Sequence, residues 1–127
     1  MTKTKGISIN KGFEGLKFLQ NRTPQSTGIE DSFCMLSEYR DGGIFLAHYA
    51  GNSEWEKHSK GDELVMVMEG NTTLILLLEG SEVSNTLSQG EILVVPQNTW
   101  HRFESPNGVK VMTVTPQPTD HSIGKPE

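Results

Sequence analysis

From Phe33 onward the chain alternates short apolar runs with polar breaks, at a spacing too short for helices. Residues 33–39 and 43–50 flank Arg40-Asp41-Gly42. Asp-Gly there is a hairpin-turn signature, because Gly takes positive φ at little cost. Further strands are predicted over 54–58, 63–69, 72–78, 82–87, 91–95, 99–104 and 109–115. The breaks between them fall at Gly61-Asp62, Gly70-Asn71, Glu79-Gly80, Ser88-Gln89-Gly90, Pro96-Gln97-Asn98 and Pro106-Asn107-Gly108. About nine short strands at this spacing predict an all-β sandwich or barrel, not a parallel α/β sheet. Residues 1–12 are polar and expected to be ragged. Residues 13–19 are apolar enough to dock as a short strand or a turn of helix, and the pattern fits both. Residues 21–29, with Pro24 and Gly28, read as a loop, and Pro116 and Pro118 end the last strand in an extended tail.

Alternate side chains of a strand face opposite sides. Glu63, Val65 and Val67 therefore share one face, and Leu64, Met66 and Met68 the other. The next run repeats the arrangement, with Leu74, Leu76 and Leu78 opposite Ile75 and Leu77. One face can line a barrel interior. The other is also apolar and needs cover, since large bare apolar patches are uncommon on monomers. A homodimer is the expected cover; the N-terminal segment is the alternative.

The length of 127 residues suits one domain spanning 1–127. Its barrel core is expected at about 33–115, with 1–32 and 116–127 as extensions. The net charge is −5 and no Lys/Arg cluster rises above isolated pairs. That argues against nucleic acid, whose dense negative charge a partner must neutralise. Lys3, Lys5 and Lys11 read as a solvated end, or as a weak anion patch. Cys34 is alone, so no intrachain disulfide can form, and its apolar flanks mark a small buried hydrophobe in preference to a reactive thiol. Neither a signal-peptide core nor a membrane-spanning run is present, so no membrane partner and a cytoplasmic location are expected.

Two stretches hold the candidate chemistry, 55–70 and 90–105. In the second, Gly90, Pro96, His101 and Ser105 stand at spacings that resemble the second motif of the cupin family. Asn98 occupies that motif's second Gly position and Ser105 its Asn position. Asn suits the turn because it also enters left-handed conformations. The first stretch resembles the family's other motif when anchored on Glu63 and Gly70. His58 then takes the second His position and Glu56 the first, while Gly51 lies one place off the opening Gly. Placing His58 first and Lys60 second shortens the spacing, and Lys is a poor ligand unless deprotonated.

The resemblance implies a jelly-roll barrel, or double-stranded β-helix, with a divalent transition metal (Fe, Mn, Zn or Ni) on Glu56, His58, Glu63 and His101. Imidazole and carboxylate suit such ions, and residues at i and i+2 of a strand project to one face. Other readings stand beside this one. Glu56 could face solvent or pair with Lys57 or Lys60. The two His could be core residues, with Glu63 a buried acid paired to one of them. Val65, Val67 and Phe103 share the inward parity and are expected to line the pocket. Trp100 and Arg102 should face away, and Trp55 should pack. The parity of His48 is open, and His121 is expected at the surface unless the tail folds over the barrel mouth. Trp55-Glu56-Lys57-His58, Gly61-Asp62-Glu63, Trp100-His101-Arg102-Phe103 and Thr115-Pro116-Gln117-Pro118 are similar to small single-domain bacterial cupins of unassigned activity.

The expected function is metal-dependent chemistry on a small polar metabolite, of dioxygenase, isomerase or lyase type, with the catalytic residues unassigned. The alternative is non-catalytic binding of a sugar or organic acid. A storage barrel stands last, because storage members of the family are usually longer two-barrel chains.

Overall fold

The computed structural model describes residues 5–127; residues 1–4, including Lys3, lie outside the described residues. The elements follow in the order α1 (Ile9–Glu14), β1 (Leu19–Arg22), a 3-10 turn (Glu30–Ser32), β2 (Phe33–Tyr39), β3 (Gly42–Asn52), β4 (Trp55–His58), β5 (Glu63–Leu78), β6 (Ser81–Ser88), β7 (Ile92–Val95), β8 (His101–Pro116) and β9 (Thr119–Ser122). The all-β jelly-roll expectation holds. The sheet also extends beyond 33–115 at both ends, through β1 and β9.

Two long strands organise the barrel. β5 unites two predicted strands across Gly70-Asn71, and β8 unites two across Pro106-Asn107-Gly108. Both breaks are bends within continuous strands, marked by register shifts between Val67 and Glu69 and between Gly70 and Thr73. Gly70 pairs with Val109, and a side-chain carbon on Gly70 would stand 2.4 Å from the Gly108 carbonyl oxygen. A polar break read along one strand is here the place where two strands bend together.

Each half of these strands serves a different part of the one nine-stranded sheet. The first half of β5 lies between β7 and the end of β8, which continues through β3 to β2 and to β1, parallel to β3. Its second half lies between β6 and the start of β8, which continues through β4 to β9. The inward parity is as expected: Glu63, Val65, Val67, Leu74 and Leu76 are all buried.

The N-terminal segment resolves into both of its alternatives. Ser8 caps α1 by accepting a hydrogen bond from the Lys11 backbone N–H at 3.1 Å, and the chain re-enters the sheet at Leu19. Arg22, expected in a loop, is therefore strand, paired with Gly51. Gly51 is needed for that approach, since a side-chain carbon there would stand 2.2 Å from the Arg22 carbonyl oxygen. On the outer face α1 packs on β2 and β3: Gly12 lies against Leu46 and Leu36, and Phe13 is buried. Ile92 and Val94, beside half-buried Leu64 and Met66, stay more than half exposed. Cys34 is half-buried on β2, and burial pushes its thiol pKa up, away from reactivity.

Candidate metal centre and adjoining cavity

Strand ends deliver the site. His58 closes β4, Glu63 opens β5 and His101 opens β8, so a short turn and a strand pairing bring them together. The turn between His58 and Glu63 is braced by the Pro96-Gln97-Asn98 segment. The Gln97 backbone N–H donates to Asp62 Oδ1 at 2.8 Å, its amide Nε2 to the Ser59 carbonyl at 2.7 Å, and the Asn98 N–H to the His58 carbonyl at 2.9 Å. Asn98 holds φ 62, as its turn position predicted. The two motifs therefore meet through hydrogen bonds as well as through their ligands.

Glu63 is the hub. Its Oε1 lies 3.0 Å from His101 Nε2, and its Oε2 lies 3.4 Å from His58 Nε2 and accepts a 2.6 Å hydrogen bond from Thr115 Oγ1. Thr115 is in turn 2.7 Å from Thr113 Oγ1. His101 Nδ1 is 2.9 Å from the Thr99 carbonyl, and a carbonyl only accepts, so Nδ1 bears a proton. In a neutral ring the Nε2 lone pair would then face the Glu63 carboxylate at 3.0 Å. A proton or a cation has to stand between them.

Without metal that role falls to a proton. Burial opposes charge on His101, but the hydrogen bond and charge of Glu63 outweigh it and raise its pKa above the ordinary value of 6.5. Burial likewise pushes Glu63 up, and the hydrogen bonds and charges of His101 and His58 overcome this and hold it at about 2. Burial, then the Glu63 charge, raises Glu56 against the opposing pull of His101, Arg22 and His58.

The sign of the pH dependence follows. Stability from Glu63 is present above its ordinary 4.5 and lost as pH falls through about 2. Stability from His101 is present below 6.5 and lost as pH rises through its raised folded pKa. Glu56 ionises at increasing cost in the same upward direction. Chelator-treated protein is expected to melt at its highest temperature between 4.5 and 6.5, and lower as pH is raised to about 9. A melting temperature unchanged or higher at about pH 9 would contradict a protonated His101–Glu63 pair.

The donor set fits a divalent transition metal. One ligand atom each from His58, Glu63 and His101 lies within 4.8 Å of the others, and all three residues are buried. Each imidazole has its Nδ1 engaged, His101 with Thr99 and His58 with Thr119 Oγ1 at 3.1 Å, which orients both Nε2 atoms inward. His58 Nε2 is buried with no hydrogen-bond partner in good geometry. An orphaned imidazole nitrogen beside a carboxylate is what a bound cation would satisfy.

Glu56 stands apart from this cluster among the described residues. It lies opposite His101 on one side and His121 on the other, and its Oε2 is 4.0 Å from His121 Nδ1. His121 Nδ1 is closer to Glu54 Oε1, at 2.5 Å. The tail places His121 here as β9, so the residue expected at the surface lines the cavity while remaining half exposed. The Lys57 ammonium lies 5.0 Å from the centre of the Trp100 ring, leaving Glu56 to face the cavity.

That cavity, about 450 Å³, adjoins His58 and Glu63. Phe103 lines it as expected. Val65 and Val67 do not: they are fully buried further along β5 than Glu63, in the core cluster with Leu74 and Leu76. Correct parity put them inside the barrel, but depth along the strand separates core from wall. Sequence reasoning missed Arg22, Phe33, Phe45 and Tyr49 on the wall. The parity of β3 was open, and residues 45, 47 and 49 turn out to face inward; His48 faces outward, its ring 4.7 Å from that of Phe18. Arg102 lies over the outer side of buried Trp55, 5.4 Å from its ring centre.

A jelly-roll barrel with two imidazoles and a carboxylate clustered beside a cavity defines a class of small barrels with a candidate metal site. Residues 45–115 match the Cupin_2 family, the cupin domain, and the chain belongs to that family. A relative in Bacillus subtilis (strain 168), the uncharacterized protein YdbB, is 33% identical over 70 residues, covering 55% of this chain and 59% of its own. The match thus spans under two thirds of that relative. Among solved structures, a cupin-2 domain containing protein from Shewanella frigidimarina NCIMB 400 superposes with TM-score 0.63 at 25% identity, over 92% of this chain and 100% of its own. Hydroquinone 1,2-dioxygenase from Sphingomonas sp. TTNP3, solved with 4-hydroxybenzoate bound, gives TM-score 0.57 at 16% identity, over 72% and 67% of the two chains. At that identity the likeness is one of fold. No helix among the described residues is long and apolar enough to cross a membrane.

Proposed function

We propose that the barrel binds one divalent transition metal (Fe, Mn, Zn or Ni) on His58, Glu63 and His101, and acts on a small polar molecule in the adjoining cavity. The observation that supports this most is the buried, unpartnered Nε2 of His58 beside a carboxylate that already faces a second imidazole nitrogen. A bound metal supplies Lewis-acid or one-electron chemistry to a ligand oxygen, which suits dioxygenase, isomerase and lyase reactions alike. Thr99 and Thr119 keep the imidazoles aimed, and Thr115 keeps the Glu63 carboxylate turned inward. Glu56 is assigned the proton-carrying role instead of that of a fourth ligand. It lines the cavity, and its carboxyl pKa is raised by burial.

Metal stoichiometry tests the reading. The protein, loaded in turn with Fe(II), Mn(II), Ni(II) and Zn(II) and then desalted, is expected to retain about one equivalent of at least one metal by elemental analysis. His101→Ala is expected to retain less than about a tenth of that. Failure to hold any of the four metals would sink the proposal.

A further inference from the structure

The cavity wall contains a cation that none of the chemistry above uses. Arg22 reaches the cavity from β1, outside the span that matches the family. Its guanidinium is stacked over two aromatic rings, 4.9 Å from the centre of Phe33 and 4.5 Å from that of Tyr49. No carboxylate among the described residues forms an ion pair with it; Glu56, on the same cavity, is beyond ion-pair distance and acts on it only through space. A guanidinium stays charged at every accessible pH and presents a planar fork of donors matched to carboxylate geometry. Stacking fixes the plane of that fork without neutralising it.

A second observation falls at the same place. The Tyr49 hydroxyl is buried and has no hydrogen-bond partner in good geometry, although Tyr49 lines the cavity. Burial pushes its pKa up to about 12, so the hydroxyl keeps its proton and can donate. Its neighbours are the side chains of Ser105 and Arg22, neither in good hydrogen-bond geometry, so a well-placed acceptor from a ligand would improve on them. The rings of Phe33, Phe45 and Phe103 supply flat apolar wall beside this pair, while Glu56, His58, Glu63 and the tail residues Gln117, Thr119 and His121 make much of the remainder polar. At about 450 Å³ the space lies within the range of small-molecule sites.

We infer that the cavity recognises a small carboxylate with a flat apolar body. The carboxylate sits on Arg22 and the Tyr49 hydroxyl, and the body lies between Phe33, Phe45 and Phe103, reaching toward the His58–Glu63–His101 end. This deepens the proposed function by naming the ligand class, but the Arg22 subsite does not require the metal. Arg22 is accordingly a specificity-determining residue.

The test uses the full chain in the presence of chelator, with metal content of untreated protein measured in parallel. Affinities are read by calorimetry for benzoate and but-2-enoate, each against its neutral amide, and for inorganic phosphate. Each carboxylate is expected to bind at least about tenfold more tightly than its amide, which brings no charge to the fork, and than phosphate, which fits the fork but has no apolar body to lie on the rings. Arg22→Met should remove that preference while leaving amide binding within about threefold, and Arg22→Lys should restore part of it. If Arg22→Met fails to fold, the wild-type carboxylate-to-amide ratio still decides. Equal affinities for acid and amide, a preference for phosphate, or a preference that survives Arg22→Met each overturns the inference. Carboxylate preference in a protein that holds no metal would keep this subsite and remove the metal reading; stoichiometric metal without carboxylate preference would do the reverse.

Discussion

Glu63→Ala is expected to abolish metal retention, with affinity reduced by well over about 100-fold. Loss of even an outer hydrogen-bond partner of a metal ligand typically costs about 10–100-fold, and Glu63 contributes the only carboxylate of the clustered trio. Chelated protein should also lose about 3 kcal/mol, toward the low end for breaking a buried pair, because His101 can release its proton once Glu63 is gone. Glu63→Gln separates these effects. Its amide N–H can donate to neutral His101 Nε2 and its carbonyl can accept from Thr115, so the hydrogen bonds are satisfied without charge. That variant should remain close to wild-type stability at about pH 8, lose the fall in stability at alkaline pH, and bind no metal. Retention of a full metal equivalent by Glu63→Gln, read by elemental analysis, would show that the metal sits elsewhere.

Gly70→Ala is expected to cost at least about 3 kcal/mol. Two terms combine. Gly70 holds φ 78, where an L side chain is strained by about 1–2 kcal/mol. The added carbon would also stand 2.4 Å from the Gly108 carbonyl, a backbone atom that can move only if the bends of β5 and β8 part. Gly80→Ala is the control, since Gly80 has a nearly identical φ of 80 with nothing within 4 Å. It should lose only the strain term, about 1–2 kcal/mol. Denaturant melts of the two variants check the difference; equal losses would mean that the crossing of the bends tolerates a methyl group.

These cases show how the fold was and was not legible. A glycine flanked by polar residues reads the same whether it ends a strand or bends it, so Gly70 and the Pro106-Asn107-Gly108 stretch read as breaks in the sequence alone. The distinction depends on the partner strand: β5 and β8 bend together, and the ladder resumes on the other side. The β2–β3 hairpin was legible without such knowledge, but its turn is Arg40-Asp41: Arg40 takes the positive φ (50), while Gly42 already belongs to β3 opposite Tyr39.

The sequence by itself determined the strand periodicity and the inward parity of Glu63, Val65 and Val67, which follow from local covalent geometry sending alternate side chains to opposite faces whatever the strand's neighbours. The candidate ligands Glu56, His58, Glu63 and His101 came from motif spacing that resembles the family, and three of them cluster in the fold. Tertiary structure decided the rest. It left Glu56 beside His121 instead of among the clustered ligand atoms, and placed Val65 and Val67 too deep to line the cavity. Arg22 and His121, from opposite ends of the chain, became cavity residues only because β1 and β9 join the sheet beside β3 and β4. Which strand lies beside which is a long-range pairing, and no local pattern of apolar and polar positions encodes it.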